Sequence, residues 1–284
     1  MTSPSAPPVP TPATAPAPVA APAPTPVAVR LGGERLGDER ALGTAAVLSP
    51  VMARWDEGAF LAPVAAALTA GHRVTVYDTL SLLRDGDDLQ ALAERWAGVL
   101  AAAPVDLLVG NALGGAVVQH LLAHPWTHRA HVVLLSAPTV ADDALDATLE
   151  RVAAAVEAHG TATALRLLHE VVRGPADPVT SYDDAPHRAD DPAAGRRLAD
   201  GLRLLRRADA RRTVERFPGR LLHVHGAESR LVQGHHLATG PAHTRVAVPR
   251  AGMRPHTDQP DHVRQAITAF LAPDQPEDKY EEGV

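Results

Sequence analysis

The sequence predicts an α/β fold: a mostly parallel sheet with helices on both faces and a helical insertion late in the chain. Three observations predict it. Short apolar runs alternate with Ala/Leu-rich helical stretches, the pattern of a parallel sheet covered on both sides. The breakers Pro50, Gly71, Pro104, Pro125 and Pro218 sit at or beside the expected element boundaries. About 255 residues remain after an N-terminal Pro/Ala tract, enough for one α/β domain with a sizeable core.

In chain order, strands are expected at Val27–Leu31, Thr44–Leu48, Arg73–Tyr77, Val105–Val109, His131–Leu135, Arg220–His225 and Thr244–Val248. Each is short, rich in β-branched or aliphatic residues and bounded by turn formers. Helices are expected at Phe60–Ala70, Leu89–Ala102, Gly115–His124 and Pro260–Leu271. The alternation stops after Leu135. Three helical segments follow (Ala144–His159, Thr163–Arg173 and Ala193–Ala210), around a polar Pro/Asp loop, Gly174–Asp191. An insertion there, before the sheet resumes, reads as a lid. The expected organisation is a disordered tail over 1–28, a core over 29–138 and 218–273, a lid over 139–217, and an acidic flexible tail over 274–284.

Composition excludes several function classes. Residues 1–28 hold ten of the 26 prolines and little that could pack, so a solvated, PPII-like arm is expected. That arm has neither the charged start nor the apolar run of a secretory signal. Net charge is −6, which gives no support for binding nucleic acid or an anionic membrane. No run of about 18 apolar residues suggests a membrane span. The absence of cysteine excludes disulfides, thiol catalysis and Cys-ligated metal, and fits a cytoplasmic location.

The most informative motif is Gly110-Asn111-Ala112-Leu113-Gly114, between an apolar run and an Ala/Val/Leu-rich helix. Strand, sharp turn and helix make the context of a G-x-S-x-G nucleophile elbow, with Ala112 in the place of serine. Downstream stand Gly226-Ala227-Glu228-Ser229-Arg230-Leu231-Val232 and Gly252-Met253-Arg254-Pro255-His256-Thr257-Asp258-Gln259-Pro260; upstream stand Ser49-Pro50 and Trp55-Asp56-x-Gly58-x-Phe60. In this order the motifs resemble the α/β-hydrolase superfamily over roughly residues 27–272, so an α/β-hydrolase-like fold is expected. The resemblance puts Ser49-Pro50 in the oxyanion loop, Ala112 at the nucleophile, Ser229 at the acid and Met253 at the catalytic histidine. None of these side chains can do serine-hydrolase chemistry.

The resemblance therefore implies a divergent, non-hydrolytic member. Its relatives include enzymes that eliminate acetate or water from, or cyclise, polyketide-like intermediates of bacterial natural-product biosynthesis. The alternative is an inactive pseudo-hydrolase that binds a ligand or a partner. The backbone N–H of Leu113, at a helix N-terminus, would still face an anion. Ala112, Met253 and Val232 suggest an apolar centre for an apolar small-molecule substrate, oriented by Asn111, Trp55, Ser49 and His256. His256 is the candidate base, against a loop-packing role. Asp78, at the end of a strand, is either a site residue or the hydrogen-bonding partner of a loop. Asp142 and Asp143 read as caps of the first lid helix. His223, His225, His235 and His236 do not make a convincing metal set, and neither metal nor cofactor is expected. Arg203, Arg206, Arg207, Arg211 and Arg212 form a solvated face, or else a contact for an acidic carrier domain; a second copy of the chain is the other partner considered.

Overall fold

The computed structural model describes residues 24–31, 42–103, 105–175 and 191–272. Most of the expected Pro/Ala arm, most of the polar loop and all of the acidic tail lie outside these residues.

Seven strands form one sheet: β1 (Ala28–Leu31), β2 (Gly43–Leu48), β3 (His72–Tyr77), β4 (Leu107–Asn111), β5 (His131–Leu135), β6 (Leu221–Gly226) and β7 (His243–Val248). Their order is β1-β3-β2-β4-β5-β6-β7, and every pairing is parallel except the edge pair of β1 with β3. The central strands are buried on both faces, which is why they read as continuous apolar runs. Alternate residues go to opposite sides: Ala46, Leu48 and Leu108 join one core, and Ala45, Val47, Leu107 and Val109 the other.

One face is covered by α1 (Ala65–Thr69) and by α9 (Pro260–Leu271), which buries Val263, Ile267 and Phe270. The other is covered by α2 (Leu89–Leu100) and α3 (Leu113–Leu121), with Trp96 wholly buried and its indole N–H donated to the Thr79 carbonyl. Between β5 and β6 the chain adds α4 (Asp143–His159), α5 (Thr161–Val172), α6 (Pro192–Leu204) and α7 (Arg211–Arg216). A four-residue helix, α8 (Pro255–Asp258), precedes α9. Among the described residues no helix is long and apolar enough to cross a membrane.

Two helix expectations are corrected. Phe60–Ala70 is a 3-10 turn, Ala59–Leu61, followed by the short α1. Pro63 lies between them and cannot donate to a continuous helix. Ala193–Ala210 ends as a helix at Leu204, because the chain then turns to pair with the segment after β5. Ala141 N–H donates to the Ala208 carbonyl, and Ala210 N–H to that of Thr139. Arg207 takes a left-handed φ of 56° at this turn, with its N–H held by Asp146. Tertiary hydrogen bonds here override helix propensity.

Candidate functional site

The site lies beyond the C-terminal ends of β4, β6 and β7, where an open parallel sheet leaves a crevice. Its centre is the turn from β4 into α3. Ala112 has φ 48° and ψ −111°, a conformation that costs a non-glycine residue about 1–3 kcal/mol. The surroundings over-determine it. Ala112 N–H donates to the Leu135 carbonyl at 3.0 Å, and its own carbonyl accepts from Ala116 N–H at 2.9 Å. A Cβ on Gly110 would stand 2.4 Å from the Gly115 Cα, and one on Gly114 would stand 2.1 Å from the Leu48 carbonyl oxygen. The turn is thus imposed by backbone packed on backbone. Leu113 opens α3, so its N–H has no partner one turn earlier in the helix, while its side chain is wholly buried in the core.

Facing the elbow are the loops after β6 and β7, which press together: a Cβ on Gly226 would lie 1.9 Å from the Gly252 carbonyl oxygen. Ser229 and Met253 meet there, the buried Ser229 hydroxyl donating to the Met253 sulfur at 3.9 Å. Met253 N–H donates to the Val172 carbonyl at 3.1 Å, tying this loop to the end of α5. Three residues on, α8 carries His256, which is 2% exposed. Its Nε2 is 3.5 Å from Asn111 Nδ2, and its Nδ1 is buried without a hydrogen-bond partner. Burial, then the nearby Arg254 charge, pushes the imidazole down to about 4, so it is neutral at physiological pH.

Over these residues lies a cavity of about 460 Å³. Its floor includes Asn111, Ala112, Met253 and His256, and its walls are chiefly leucines of the insertion: Leu149 from α4, Leu165 and Leu168 from α5, Leu198 and Leu202 from α6. The few polar groups on the lining include Asp56, Arg254, His169 and Thr257. Asp56 accepts the backbone N–H groups of Gly58 and Phe60, both at 2.9 Å.

No family model and no curated protein matches the sequence. Solved structures do. An α/β hydrolase from a Medee basin deep-sea metagenome is 12% identical, with a TM-score of 0.73 over 89% of this chain and 96% of that one. A hydrolase from Pseudomonas aeruginosa is 22% identical, with a TM-score of 0.68 over 87% and 94%. A meta-cleavage product hydrolase from Pseudomonas fluorescens, solved as a serine-to-alanine mutant complexed with acetates, is 16% identical, with a TM-score of 0.65 over 86% and 93%. The chain has the α/β-hydrolase fold.

Within that fold the structure brings Asn111, Ala112, Met253 and His256 together on the cavity lining and leaves the other expected site residues off it. Val232 is 1% exposed in the core, and its neighbour Leu231 lines the cavity instead. Trp55 packs against the core on the opposite face of the sheet. The Ser49 hydroxyl is engaged by Thr79, accepting its N–H at 3.1 Å. Asp78 caps the 3-10 turn Thr79–Leu82 and forms a partly buried ion pair with Arg197 of α6. It fastens the insertion to the core and does not reach the lining. The sequence predicts a lid over an apolar cavity, but it does not say which side chains of the insertion line it. A signal was present in the apolar spacing of Leu165, Leu168 and Val172 on α5, but spacing does not say what a helix faces.

The remaining candidates have structural partners. Asp142 caps α4 by accepting Leu145 N–H at 2.8 Å, and that bond is the main cause of a carboxyl held far below its usual range. Asp143 is in the first turn of the same helix. Asp142, His235 and His236 form one cluster whose spacing could hold a metal ion, with Asp142 oxygens 3.0 and 3.2 Å from the two Nε2 atoms. However, Gln233 N–H donates to His236 Nδ1 at 2.9 Å, which leaves the ring proton on Nε2, facing Asp142. That arrangement suits a hydrogen-bonded cap more than a ligand set. His223 is wholly buried on β6, and burial pushes it down to about 3; burial also lowers His225. Arg203 and Arg206 pair with Glu150 of α4, and Arg211 with Asp209.

Proposed function

We propose that the protein is a non-hydrolytic enzyme of the α/β-hydrolase fold that acts on an apolar substrate by elimination or cyclisation. The class we favour is loss of acetate or water from, or ring closure of, a polyketide-type intermediate in bacterial natural-product biosynthesis. The observation that carries the reading is the strained elbow at Ala112, kept beneath an apolar cavity without a nucleophilic atom. Met253, which lines the cavity with it, and Ser229, whose hydroxyl donates to the Met253 sulfur, supply neither acid nor base for hydrolysis. An elimination or a cyclisation needs an oriented substrate, a donor where negative charge develops and a route for one proton. The start of α3 directly after the cavity-lining Ala112 supports the second requirement, and the Asn111–His256 pair supports orientation.

A second reading, a ligand-binding pseudo-hydrolase, is favoured by His256 itself, since an imidazole pushed down to about 4 is a weak base. The test is incubation of the purified protein with the metabolite pool of a strain lacking it, followed by mass spectrometry. Disappearance of one metabolite, with a product lighter by acetic acid or water or an isomer of equal mass, supports the enzyme. Retention of a metabolite without conversion supports the binding protein. Rapid hydrolysis of a nitrophenyl ester would overturn both.

A further inference from the structure

His236, in the 3-10 turn Gly234–His236 after β6, is held in one ionisation state by a group that cannot exchange roles. A backbone N–H only donates, and that of Gln233 reaches His236 Nδ1 at 2.9 Å. Nδ1 must therefore present its lone pair, and the single proton of the neutral ring is on Nε2. Protonating the ring would put a second N–H on Nδ1, aimed at the Gln233 N–H with no acceptor between them. His236 is 3% exposed, so the two opposed donors would also be cut off from water. The imidazolium is incompatible with the turn as it stands.

This turn holds the entrance of the insertion. The His236 carbonyl accepts Thr139 N–H at 2.8 Å and Val140 N–H at 3.0 Å. The entrance in turn pairs with the exit: Val140 bridges Asp209, and Ala210 N–H donates to the Thr139 carbonyl at 2.8 Å. Directly after it Asp142 caps α4, which carries Leu149 to the cavity wall. Four ionisable groups surround the ring. Asp142 Oδ1 lies 3.2 Å from Nε2, and the His235 ring centroid is 4.0 Å away. Arg245 of β7 donates to the Gly234 carbonyl, and Asp209, beyond the bridge, is paired with Arg211. Burial outweighs the pull of the Asp142 carboxylate and lowers the imidazole below its ordinary value.

We propose that His236 is a pH-operated latch on the insertion, holding its entrance while neutral and releasing it when protonated. On release the ring leaves Gln233, the turn opens, and Thr139 and Val140 lose their acceptor. The other side of the insertion stays fastened through Arg197–Asp78 and Arg54–Asp191, so the helices pivot there and the way into the cavity widens. The latched state binds fewer protons than the released one, whose imidazole has the ordinary value of 6.5. Latching is therefore complete above pH 6.5 and weakens below it. The slope is up to about tenfold in the opening equilibrium per pH unit, until the latched ring itself titrates. The latch governs access and is independent of the reaction proposed for the cavity.

The experiment is amide hydrogen exchange of the full-length protein by NMR between pH 7.5 and 5, each rate divided by that of an unstructured chain. The amides of Gln233, Thr139, Val140 and Ala210 should be less protected than those of β4, which open only with the whole fold. Their protection should fall together below pH 6.5, by up to about tenfold per pH unit. In His236→Asn, whose side-chain oxygen can take the place of Nδ1 but cannot be protonated, that fall should disappear while protection at pH 7.5 is kept. His235→Asn, at an exposed neighbour, should keep the wild-type slope. Independently of any variant, long-range proton–nitrogen correlations at pH 7.5 should show the His236 ring protonated at Nε2. A ring protonated at Nδ1, protection in the wild type that does not change with pH, a fall that survives in His236→Asn, or protection equal to that of β4 at every pH would overturn the latch.

Discussion

Replacing Asp78 with alanine should weaken the fold by about 3 kcal/mol without acting on the chemistry of the cavity. The Asp78 side chain is 6% exposed, and the Arg197 side chain is 24% exposed. The Arg197 guanidinium donates to Asp78 Oδ1, and its Nε donates to the Met52 carbonyl at 3.0 Å. Truncation removes a charge-assisted hydrogen bond worth roughly 1.5–3 kcal/mol. It also removes the cap on Leu80 N–H, worth roughly 1 kcal/mol. Arg197 keeps Met52 and some solvent, so the loss should fall at or below the roughly 3–5 kcal/mol of a fully buried broken pair. For a domain of this size that is a fall of about 6–12 °C in melting temperature. The assay is urea unfolding of wild type, Asp78→Ala, Arg197→Ala and the double variant. The cycle should give a coupling energy of about 2 kcal/mol, since the two groups act on one another. Coupling under about 0.5 kcal/mol would refute the anchor. A loss of activity in Asp78→Asn at unchanged stability would return Asp78 to the reaction.

Three further outcomes are expected. Ala112→Ser should not hydrolyse nitrophenyl esters, because Met253 on the same lining and Ser229 bonded to its sulfur supply no base and no acid; saturable turnover well above the parent protein in a spectrophotometric assay would contradict this. Gly114→Ala should cost on the order of 3 kcal/mol in urea unfolding, because its methyl would lie 2.1 Å from a carbonyl oxygen of β2; a loss below about 1 kcal/mol would mean that the elbow can shift. Stability should also fall on acidification. His256 and His223 are pushed from 6.5 to about 4 and about 3 in the folded chain, so between those values and 6.5 the unfolded chain binds more protons. Their contribution is intact above pH 6.5 and is lost as pH drops towards 4, by up to roughly 3 kcal/mol for His256 alone. His256→Gln should flatten that slope between pH 7 and 5, and an unchanged slope would place the imidazole in water.

The strands were legible because nearly all of them are short, apolar and fenced by proline or glycine, and the elbow was legible because its glycines are demanded by contact between main chains. What escaped the sequence was direction. Leu231 and Val232 are adjacent in a loop with no strict period, so nothing in their order says that the first faces the cavity and the second the core. Trp55 looked like a polar handle but turned to the far side of the sheet, where apolar area gains more. Asp78 ended a strand as expected, yet its partner Arg197 is 119 residues away, a pairing fixed only once α6 has docked. The break after Leu204 had the same origin, backbone pairing with a distant segment.

The elbow presents whatever side chain it bears towards the cavity, because its geometry is held by neighbours and not by residue 112 itself. The chain contains no cysteine at all. Ala112→Cys would thus create a protein with a single thiol, mounted at the floor of its own cavity. A fluorophore or spin label attached there would report filling of the cavity directly, for any ligand and without a known reaction.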